Sequence, residues 1–432
     1  MYKYLFLDLF RGWRLLCFFL LAHAYLQPAK AQFVKGADVG WLPQMEVSGF
    51  KFYDSAGVQK NCLEILKEKE IYTIRLRVFV NPSNNKFSGH CSKKETVVMA
   101  LRAQAMGMRV MIDLHYSDTW ADPGHQAKPA AWTSHTFSQL LTDVYDHTFE
   151  VLDTMKQCGI TPQWVQIGNE IANGMLWPDG SSNNFPQLAQ LLNKGYDAAK
   201  AVDSSIKVVV HLEGGNDNSK FRWFFDNAKT QGARYDIIGL SYYPYWIGSD
   251  YTLTINDLGN NMNDMVARYG KEVMVVEVGG VDTQIQNTYD MLVAVIRKTM
   301  AVPGGKGLGV IYWEPEGAKS WSGYSLSCWG SNGKPTAALN AFLTNTAGVN
   351  ESNIPSDYNI YPNPCIDGLL NFEFELSSGS HRVKIIDITG RLLKEQTMIG
   401  TRNAIQLNLF PGIYSVNIDE GNGSRMKKLV IR

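Results

Sequence analysis

The sequence has no excess of charge of either sign, because 41 lysine and arginine residues balance 41 aspartate and glutamate residues in 432 positions. Nucleic acids and anionic membrane surfaces are bound by clusters of positive charge, so neither kind of partner is expected. Long apolar runs are also scarce. The sequence has one, close to its start, and no transmembrane segment is expected after it.

The N-terminal segment has the features of a secretory signal peptide. Lys3, Arg11 and Arg14 accompany the apolar stretch LLCFFLLAHAYL, which is too short to cross a bilayer comfortably. The sequence AKAQ then offers an A-x-A cleavage site. We therefore predict that residues 1–31 are a signal peptide and that Gln32 begins the mature chain. An uncleaved membrane anchor is the alternative.

Cysteine is scarce as well, with six residues, of which Cys17 lies in the predicted signal peptide. The others are Cys62, Cys91, Cys158, Cys328 and Cys365. Their number is odd and no C-x-x-C spacing occurs, which argues against a zinc site and against a dense disulfide framework. At most two disulfide bridges could form, and the sequence does not pair them.

Residues 32–344 alternate between short apolar runs and longer stretches with helical periodicity. The strand candidates are FVKGADVG, YTIRLRVFV, RVMIDLHY, QWVQIGNE, KVVVHLEG, DIIGLSYYP, EVMVVEVG and LGVIYWEP. Helical segments between them include 94–106, 137–157, 186–202, 256–269 and 284–300. Eight apolar strands, each followed by a helix, predict an α/β fold, a closed (β/α)8 TIM barrel. An open doubly wound sheet is the alternative, but GADVGWLP is not the glycine-rich turn that such a sheet normally has.

The composition changes after the predicted barrel. Residues 345–357 are small, polar and turn-forming, as linkers are. Residues 358–432 contain short strand-like runs separated by turns, which predict a small all-β sandwich domain.

Two glutamates lie where the predicted strands end. Glu170 ends the fourth strand and Glu277 ends the seventh. The C-terminal ends of barrel strands carry the chemistry, so these two carboxyl groups are expected to face each other across the barrel mouth. Glycoside hydrolysis requires such a pair, one as proton donor and one to attack or to activate water. Two salt-bridged structural residues are the alternative.

Neighbouring residues suggest how the two glutamates differ. Asn169, directly before Glu170, could bind a sugar hydroxyl group. Arg75, at the end of the second strand, could hold Glu277 in its ionised form, since an opposite charge favours ionisation. Glu170 would then have the raised pKa that a general acid requires.

Five longer motifs narrow the interpretation. They are HYSDTWADPGHQAKPAAW (115–132), RLRVFVNP (75–82), IGNEIANGMLWPDG (167–180), GLSYYPYW (239–246) and YWEPEG (312–317). Together they resemble glycoside hydrolase family 53, the endo-β-1,4-galactanases. The resemblance implies a retaining enzyme acting on galactan or type I arabinogalactan, with Glu170 as acid/base and Glu277 as nucleophile. Retaining enzymes have carboxyl groups about 5–5.5 Å apart. The alternatives are a related β-glycanase on another polysaccharide and a non-catalytic glycan-binding protein.

The resemblance also implies a set of substrate contacts. Around the nucleophile and the cleaved sugar these are Arg75, His115, Asn169, Tyr242 and Trp313. To these we add Asp38, at the end of the first strand, and two tryptophans at or beyond strand ends, Trp120 and Trp246. An indole can stack on the apolar face of a galactose residue, although packing within a loop is the alternative for each tryptophan. Some family members bind calcium near the eighth strand, but residues 314–335 contain no dense Asp/Asn cluster. No required cofactor is therefore expected and no metal ligands are assigned, while a structural calcium ion is left open without support from the sequence.

The C-terminal module has a resemblance of its own. YPNPCIDG, VKIIDITGRLL, LFPGIYSVNI and the terminal KKLVIR resemble the C-terminal sorting domain of the type IX secretion system. The resemblance implies recognition by that secretion machinery and a protein that is secreted or held on the outer surface of a Gram-negative bacterium. A carbohydrate-binding sandwich is the alternative.

Overall fold

A computed structural model describes residues 33–85, 87, 90–343, 358–374, 380–387, 391–419 and 424–432. The predicted signal peptide and linker lie outside these residues. Within them, no helix combines the length and the apolar character needed to cross a membrane. The five cysteines that follow the predicted signal peptide are all free thiols.

Eight parallel strands close into a barrel, in which β1 pairs with both β2 and β8. The strands are β1 Val34–Asp38, β2 Thr73–Val78, β3 Arg109–Leu114, β4 Trp164–Ile167, β5 Lys207–Leu212, β6 Ile237–Tyr242, β7 Glu272–Val278 and β8 Gly307–Tyr312. Seven lie within predicted runs, and β8 begins at Gly307, one residue before the predicted run LGVIYWEP. The prediction of a TIM barrel is confirmed.

Helices follow the strands and cover the outside of the barrel. They are α1 Leu42–Val47, α2 Cys62–Glu68, α3 Lys93–Ala105, α4 Phe137–Gln157, α5 Phe185–Val202, α6 Asn218–Thr230, α7 Tyr251–Tyr269, α8 Ile285–Met300 and α9 Lys319–Ser322. The α7 helix begins earlier than the predicted residue 256, because the Asp250 side chain accepts a hydrogen bond from the Thr252 N–H and caps the helix there.

Alternate residues of the strands face the barrel interior. Side chains from seven strands fill it, namely Val34, Met111, Trp164, Val209, Ile237, Met274, Val276 and Ile311. Residues of the opposite parity pack against the helices in a second, larger core. Because side chains alternate, the odd or even place of a residue along its strand (its parity) decides whether its side chain can reach the interior or the barrel mouth.

The β7 strand contains an irregularity that breaks this rule. Leu240 pairs with Val275, but the next residue of β6, Ser241, pairs with Glu277, so β7 carries one extra residue at this point. Val276 faces the interior core, and strict alternation would turn Glu277 outward. The bulge instead brings Glu277 to the inside of the barrel mouth, as bulges do near active sites.

The C-terminal residues form two antiparallel sheets around a core of their own. Their strands are β9 Tyr358–Tyr361, β10 Leu369–Phe374, β11 Ser380–Asp387, β12 Leu392–Ile399, β13 Arg402–Gln406, β14 Gly412–Asp419 and β15 Ser424–Ile431. The first sheet has the order β9-β10-β13, and the second has the order β12-β11-β14-β15. The core takes apolar side chains from both sheets, which confirms the all-β prediction for this region.

Candidate active site

A cleft of about 500 Å³ opens at the C-terminal ends of the barrel strands. It is lined by His115, Trp120, Ala121, Asp122, Pro123, Asn169, Glu170, Glu213, Gly214, Asn216, Lys220, Ser241, Tyr243, Trp246, Ile247, Glu277, Trp313 and Tyr324. Both predicted glutamates are therefore brought into one cleft, together with all three predicted tryptophans.

Glu277 is buried and held by two donors. The Arg75 guanidinium lies 3.0 Å from its Oε1, and the Tyr243 hydroxyl group donates a hydrogen bond of 3.2 Å to its Oε2. Both contacts favour the ionised carboxylate. The predicted contact between Arg75 and Glu277 is present.

Glu170 has a different environment. The Ser241 hydroxyl group donates a hydrogen bond of 2.6 Å to its Oε1, but no cation touches its carboxyl group among the described ion pairs. Its backbone is left-handed, with φ of 50° and ψ of 54°. For a residue other than glycine this conformation costs of order 1–3 kcal/mol and is found at functional sites. The turn directs Glu170 into the cleft directly after β4.

The two carboxyl groups differ in proton affinity. Burial raises the pKa of Glu170 well above its usual range, and the nearby Glu277 raises it further. Burial also raises the pKa of Glu277 to about 7, but the Arg75 charge opposes this shift. Arg75 favours the ionised form of Glu277, as expected, but desolvation is the larger effect, so the pKa of Glu277 is raised overall. The order of the two groups is as expected, with Glu170 the one that keeps its proton to higher pH.

Arg75 lies beneath the cleft and organises its floor. Its guanidinium donates hydrogen bonds to Asp38 at 2.7 Å, to Asp113 at 2.9 Å and to the Asn169 side-chain oxygen at 3.1 Å. Arg75 and Asp38 are fully buried and do not line the cleft. Arg75 therefore makes the predicted contact with the nucleophile but offers no surface to a substrate. Asp38, which was predicted to contact substrate, offers none either. These two residues position Glu277 and Asn169 instead.

His115 and Asn169 lie in the cleft wall, as predicted, and each is fixed by the segment around Ala121. The Ala121 N–H donates to His115 Nδ1 at 3.0 Å, and the His115 Nε2 lies 2.9 Å from Asp113. The Asn169 amide group donates to the Ala121 carbonyl oxygen at 2.8 Å. The predicted contact of Asn169 with a sugar hydroxyl group stays a prediction.

The three predicted tryptophans line the cleft in different ways. Trp313 and Trp120 pack against each other with ring centroids 5.8 Å apart, and the Arg77 guanidinium lies 4.3 Å from the Trp120 ring centroid. Trp246 lies beyond β6 and is 63% exposed. Trp246 therefore has the most surface free for stacking on a ligand, whereas Trp120 is also a packing residue.

The prediction for Tyr242 is wrong, and the neighbouring Tyr243 takes its place. Tyr242 is fully buried on the helix side of β6, where its hydroxyl group lies 2.8 Å from the Thr254 hydroxyl group of α7. Ile237 faces the barrel interior, so residues 239, 241 and 243 share its side. Counting this alternation along GLSYYP would have selected Ser241 and Tyr243 from the sequence.

Strand β5 supplies further residues that the prediction did not assign to the site. His211 and Glu213 have the parity of the interior residue Val209. Glu213 lines the cleft and forms an ion pair of 2.8 Å with Lys220 on the first turn of α6. His211 is buried below the cleft, within hydrogen-bond distance of Ser241. Both residues were recognisable as polar strand ends, but the sequence does not show which side chains they approach.

Metal binding finds no support in the described part of the chain, where no group of three His, Cys, Asp or Glu side chains is arranged to hold an ion. The absence of a required metal or cofactor stays a prediction.

Comparison of the chain with known protein families identifies two matches. Residues 34–342 match the family model of glycosyl hydrolase family 53. The chain belongs to glycosyl hydrolase family 53. It is thus a glycoside hydrolase, as predicted. Residues 359–432 match a second family model, that of a secretion system C-terminal sorting domain.

Relatives of this family 53 chain include a probable arabinogalactan endo-beta-1,4-galactanase A of Neosartorya fischeri, which is 35% identical over 331 residues, or 69% of this chain and 87% of that protein. Among solved structures, the GH53 catalytic domain of Ignisphaera aggregans aligns with a TM-score of 0.67 and 31% identity, over 73% of this chain and 97% of that one. A structure from a study of two fungal beta-1,4-galactanases aligns with a TM-score of 0.65 and 31% identity, over 72% and 98% of the two chains.

Proposed function

We propose that this protein is an exported endo-β-1,4-galactanase that cleaves galactan and the galactan backbone of type I arabinogalactan with retention of configuration. The observation that carries the proposal is the asymmetry of the two carboxyl groups in one cleft. Arg75 and Tyr243 bind Glu277, whereas Glu170 has one neutral donor, Ser241. The substrate is inferred from the galactanase relatives of family 53.

The reaction has two steps. In the first, the Glu277 carboxylate attacks the anomeric carbon of a galactosyl residue while Glu170 protonates the departing glycosidic oxygen. This gives a galactosyl ester of Glu277 and a shortened chain with a new hydroxyl group. In the second step, the Glu170 carboxylate takes a proton from water, the resulting hydroxide attacks the same carbon, and Glu277 leaves as a carboxylate.

The export part of the proposal rests on the sorting domain. Residues 359–432 match a secretion system C-terminal sorting domain, and the N-terminal sequence has a signal-peptide pattern. We infer that the type IX secretion machinery recognises β9–β15 and delivers the barrel to the medium or the outer cell surface of a Gram-negative bacterium.

Product analysis on a panel of polysaccharides tests the proposal. The protein without residues 1–31 is incubated with pectic galactan, arabinogalactan, mannan, xylan and β-glucan. Short β-1,4-galacto-oligosaccharides from the first two are expected, with the β-anomer formed first, as proton NMR would show. Release of oligosaccharides only from mannan, xylan or glucan would identify a different β-glycanase. Binding to galactan without any cleavage would identify a non-catalytic glycan-binding protein.

A further inference from the structure

Two residues behind Glu170 have no part in the two steps above. Ser241 Oγ lies 2.6 Å from Glu170 Oε1, and His211 Nε2 lies 2.7 Å from the same Ser241 Oγ. Ser241 is 1% exposed and His211 is fully buried. The three side chains form a continuous hydrogen-bonded row from β5 through β6 to the end of β4.

The direction of this row matters for catalysis. A serine hydroxyl group has one hydrogen, so Ser241 can donate to Glu170 or to His211 but not to both. If His211 carries its proton on Nε2, it donates to Ser241, and the Ser241 hydrogen points to Glu170 Oε1. In the opposite tautomer Ser241 donates to His211, and Glu170 could bond to Ser241 only through a proton on Oε1. The tautomer of His211 therefore decides which oxygen of Glu170 carries the acid proton.

The surroundings of His211 Nδ1 favour the first arrangement. The Gln166 side-chain nitrogen, which can only donate, lies 3.0 Å from Nδ1. The orientation of this amide group is fixed, because its oxygen accepts from Arg75 at 3.0 Å and its nitrogen donates to Asp113 at 2.6 Å. The Asn169 oxygen also lies 3.0 Å from Nδ1, and its hydrogen bond of 3.1 Å from Arg75 leaves one lone pair free to accept from Nδ1–H. The ionised Glu170 carboxylate only accepts, however, so Ser241 must donate to it and must accept from His211 Nε2.

We propose that His211 and Ser241 are positioning residues that keep the acid proton of Glu170 on Oε2, an inference that rests on the proposed function. His211 Nε2–H donates to Ser241 Oγ, and the Ser241 hydroxyl group donates to Glu170 Oε1. Because Oε1 already faces a donor, the proton that goes to the leaving oxygen is on the other oxygen. In the second step the same hydrogen bond stabilises the Glu170 carboxylate while it acts as base.

The charges around the row set the expected pH dependence. Burial raises the pKa of Glu170, and so do Glu277 and Glu213, while the Ser241 hydrogen bond and Arg75 lower it. His211 is surrounded by Arg75, Asp113 and His115, and its burial lowers its pKa well below the usual range, so the ring stays neutral. Loss of the Ser241 hydroxyl group removes a donor to the Glu170 carboxylate and therefore raises the pKa of Glu170 further.

Kinetics on two substrates test the role of Ser241. Ser241→Ala should lower kcat/KM on galactan about tenfold at the optimum and move the alkaline limb of its pH profile to higher pH. On an aryl galactobioside with an acidic phenol, whose departure needs little protonation, kcat/KM should be nearly unchanged. Ser241→Thr, which keeps the hydroxyl group, should return the limb toward its original pH. An equal loss on both substrates with an unmoved limb would overturn the proposal.

A spectrum of the unaltered protein tests the tautomer without any variant. In long-range proton–nitrogen NMR spectra of the nitrogen-15-labelled protein near pH 7, His211 should show a protonated Nε2 and an unprotonated Nδ1. A His211→Gln variant assigns the signals by their absence. A protonated Nδ1 would overturn the proposal. If galactan is not cleaved but His211 has the Nε2–H form, the galactan assignment fails while the positioning role holds.

Discussion

The Arg75 guanidinium lies 3.0 Å from the Glu277 carboxylate, and it reaches this position from below, out of contact with the cleft. The Arg75 charge opposes the rise in the pKa of Glu277 that burial causes, whereas no cation among the described residues touches the Glu170 carboxyl group, whose pKa is raised by burial and by Glu277. Enzymes that run acid and base chemistry at one pH use such paired environments. The different roles of Glu170 and Glu277 follow from this geometry. Charged residues outside the pair should therefore be able to change the pKa values on which these roles depend.

The first prediction concerns the Glu213–Lys220 ion pair. The Glu213 charge raises the pKa of Glu170, so Glu213→Gln should lower this pKa. The alkaline limb of kcat/KM on galactan, which reports the acid that must stay protonated, should move to lower pH by roughly half a unit. Lys220→Met removes the counter-charge and should move the limb the other way. If the alkaline limb moved in the same direction in both variants, the prediction would be contradicted.

The second prediction separates two adjacent tyrosines. Tyr243→Phe removes the hydrogen bond to Glu277 and should lower kcat/KM about tenfold with little change in melting temperature. Tyr242→Phe is the matched control. It should leave kinetics intact but lower the free energy of unfolding by about 1 kcal/mol, because the buried Thr254 hydroxyl group loses its partner. Steady-state kinetics and thermal melts of both variants test this prediction. A kinetic loss in Tyr242→Phe with unchanged kinetics in Tyr243→Phe would contradict it.

These two tyrosines also show what the sequence could and could not predict. The eight strands were predictable because each is a continuous apolar run followed by a helix. Tyr242 lies on the helix side of β6, and the alternation of residues from the interior Ile237 already indicates this in the sequence. The orientation of Glu277 could not be predicted in this way. Alternation from Val276 would turn its side chain outward, and only the bulge on β7 brings it into the barrel mouth. A bulge arises from the pairing of neighbouring strands and is not visible in the residues of one strand.

The buried contacts between strands could not be predicted for the same reason. His211 lies on β5, Ser241 lies on β6 and Glu170 follows β4, and their hydrogen bonds depend on the register of these three strands. The residue types suggested polar strand ends, but the register decides which atoms meet. Asp38 likewise was correctly placed at a strand end, but its contact with Arg75 removes it from the cleft surface.

The third prediction concerns Trp246, which is 63% exposed at the edge of the cleft. If it stacks on a galactose residue, Trp246→Ala should raise KM on galactan roughly five- to tenfold, since loss of such a contact costs about 1–1.5 kcal/mol. The free energy of unfolding should change little because the side chain buries little surface. Trp223→Ala is the matched control, because Trp223 is 49% exposed on α6 and does not line the cleft. Equal KM values for the two variants would exclude a stacking role.

The fourth prediction concerns the domain boundary. The barrel and the β9–β15 sheets have separate cores, so deletion of residues 350–432 should leave the activity of the purified barrel on soluble galactan intact. In the native host the same deletion should abolish secretion. Activity is measured on purified protein, and secretion is followed by immunoblotting of the culture medium and cell fractions. A truncated protein that is unfolded or inactive would show that the C-terminal sheets belong to the catalytic unit.

The last prediction assigns the roles within the glutamate pair. Glu277→Ala removes the nucleophile, so no glycosyl-enzyme can form by the normal route. Azide could then attack the anomeric carbon from the vacated side and give a glycosyl azide of inverted configuration. Glu170→Ala removes the proton donor, and its loss should matter most when the leaving group is a sugar. On an aryl galactobioside with an acidic phenol the first step should survive better.

The intermediate of Glu170→Ala should then accumulate, because no base remains to activate water, and mass spectrometry should detect the galactobiosyl ester on Glu277. Azide attack on this ester would give a product of retained configuration, in contrast to the Glu277→Ala product. Proton NMR of the two azides decides between the assignments, since the anomeric coupling differs between α- and β-galactosyl azides. Exchanged anomers would mean that Glu170 is the nucleophile and Glu277 the acid. Equal impairment of each variant on galactan and on the aryl substrate would also contradict this assignment.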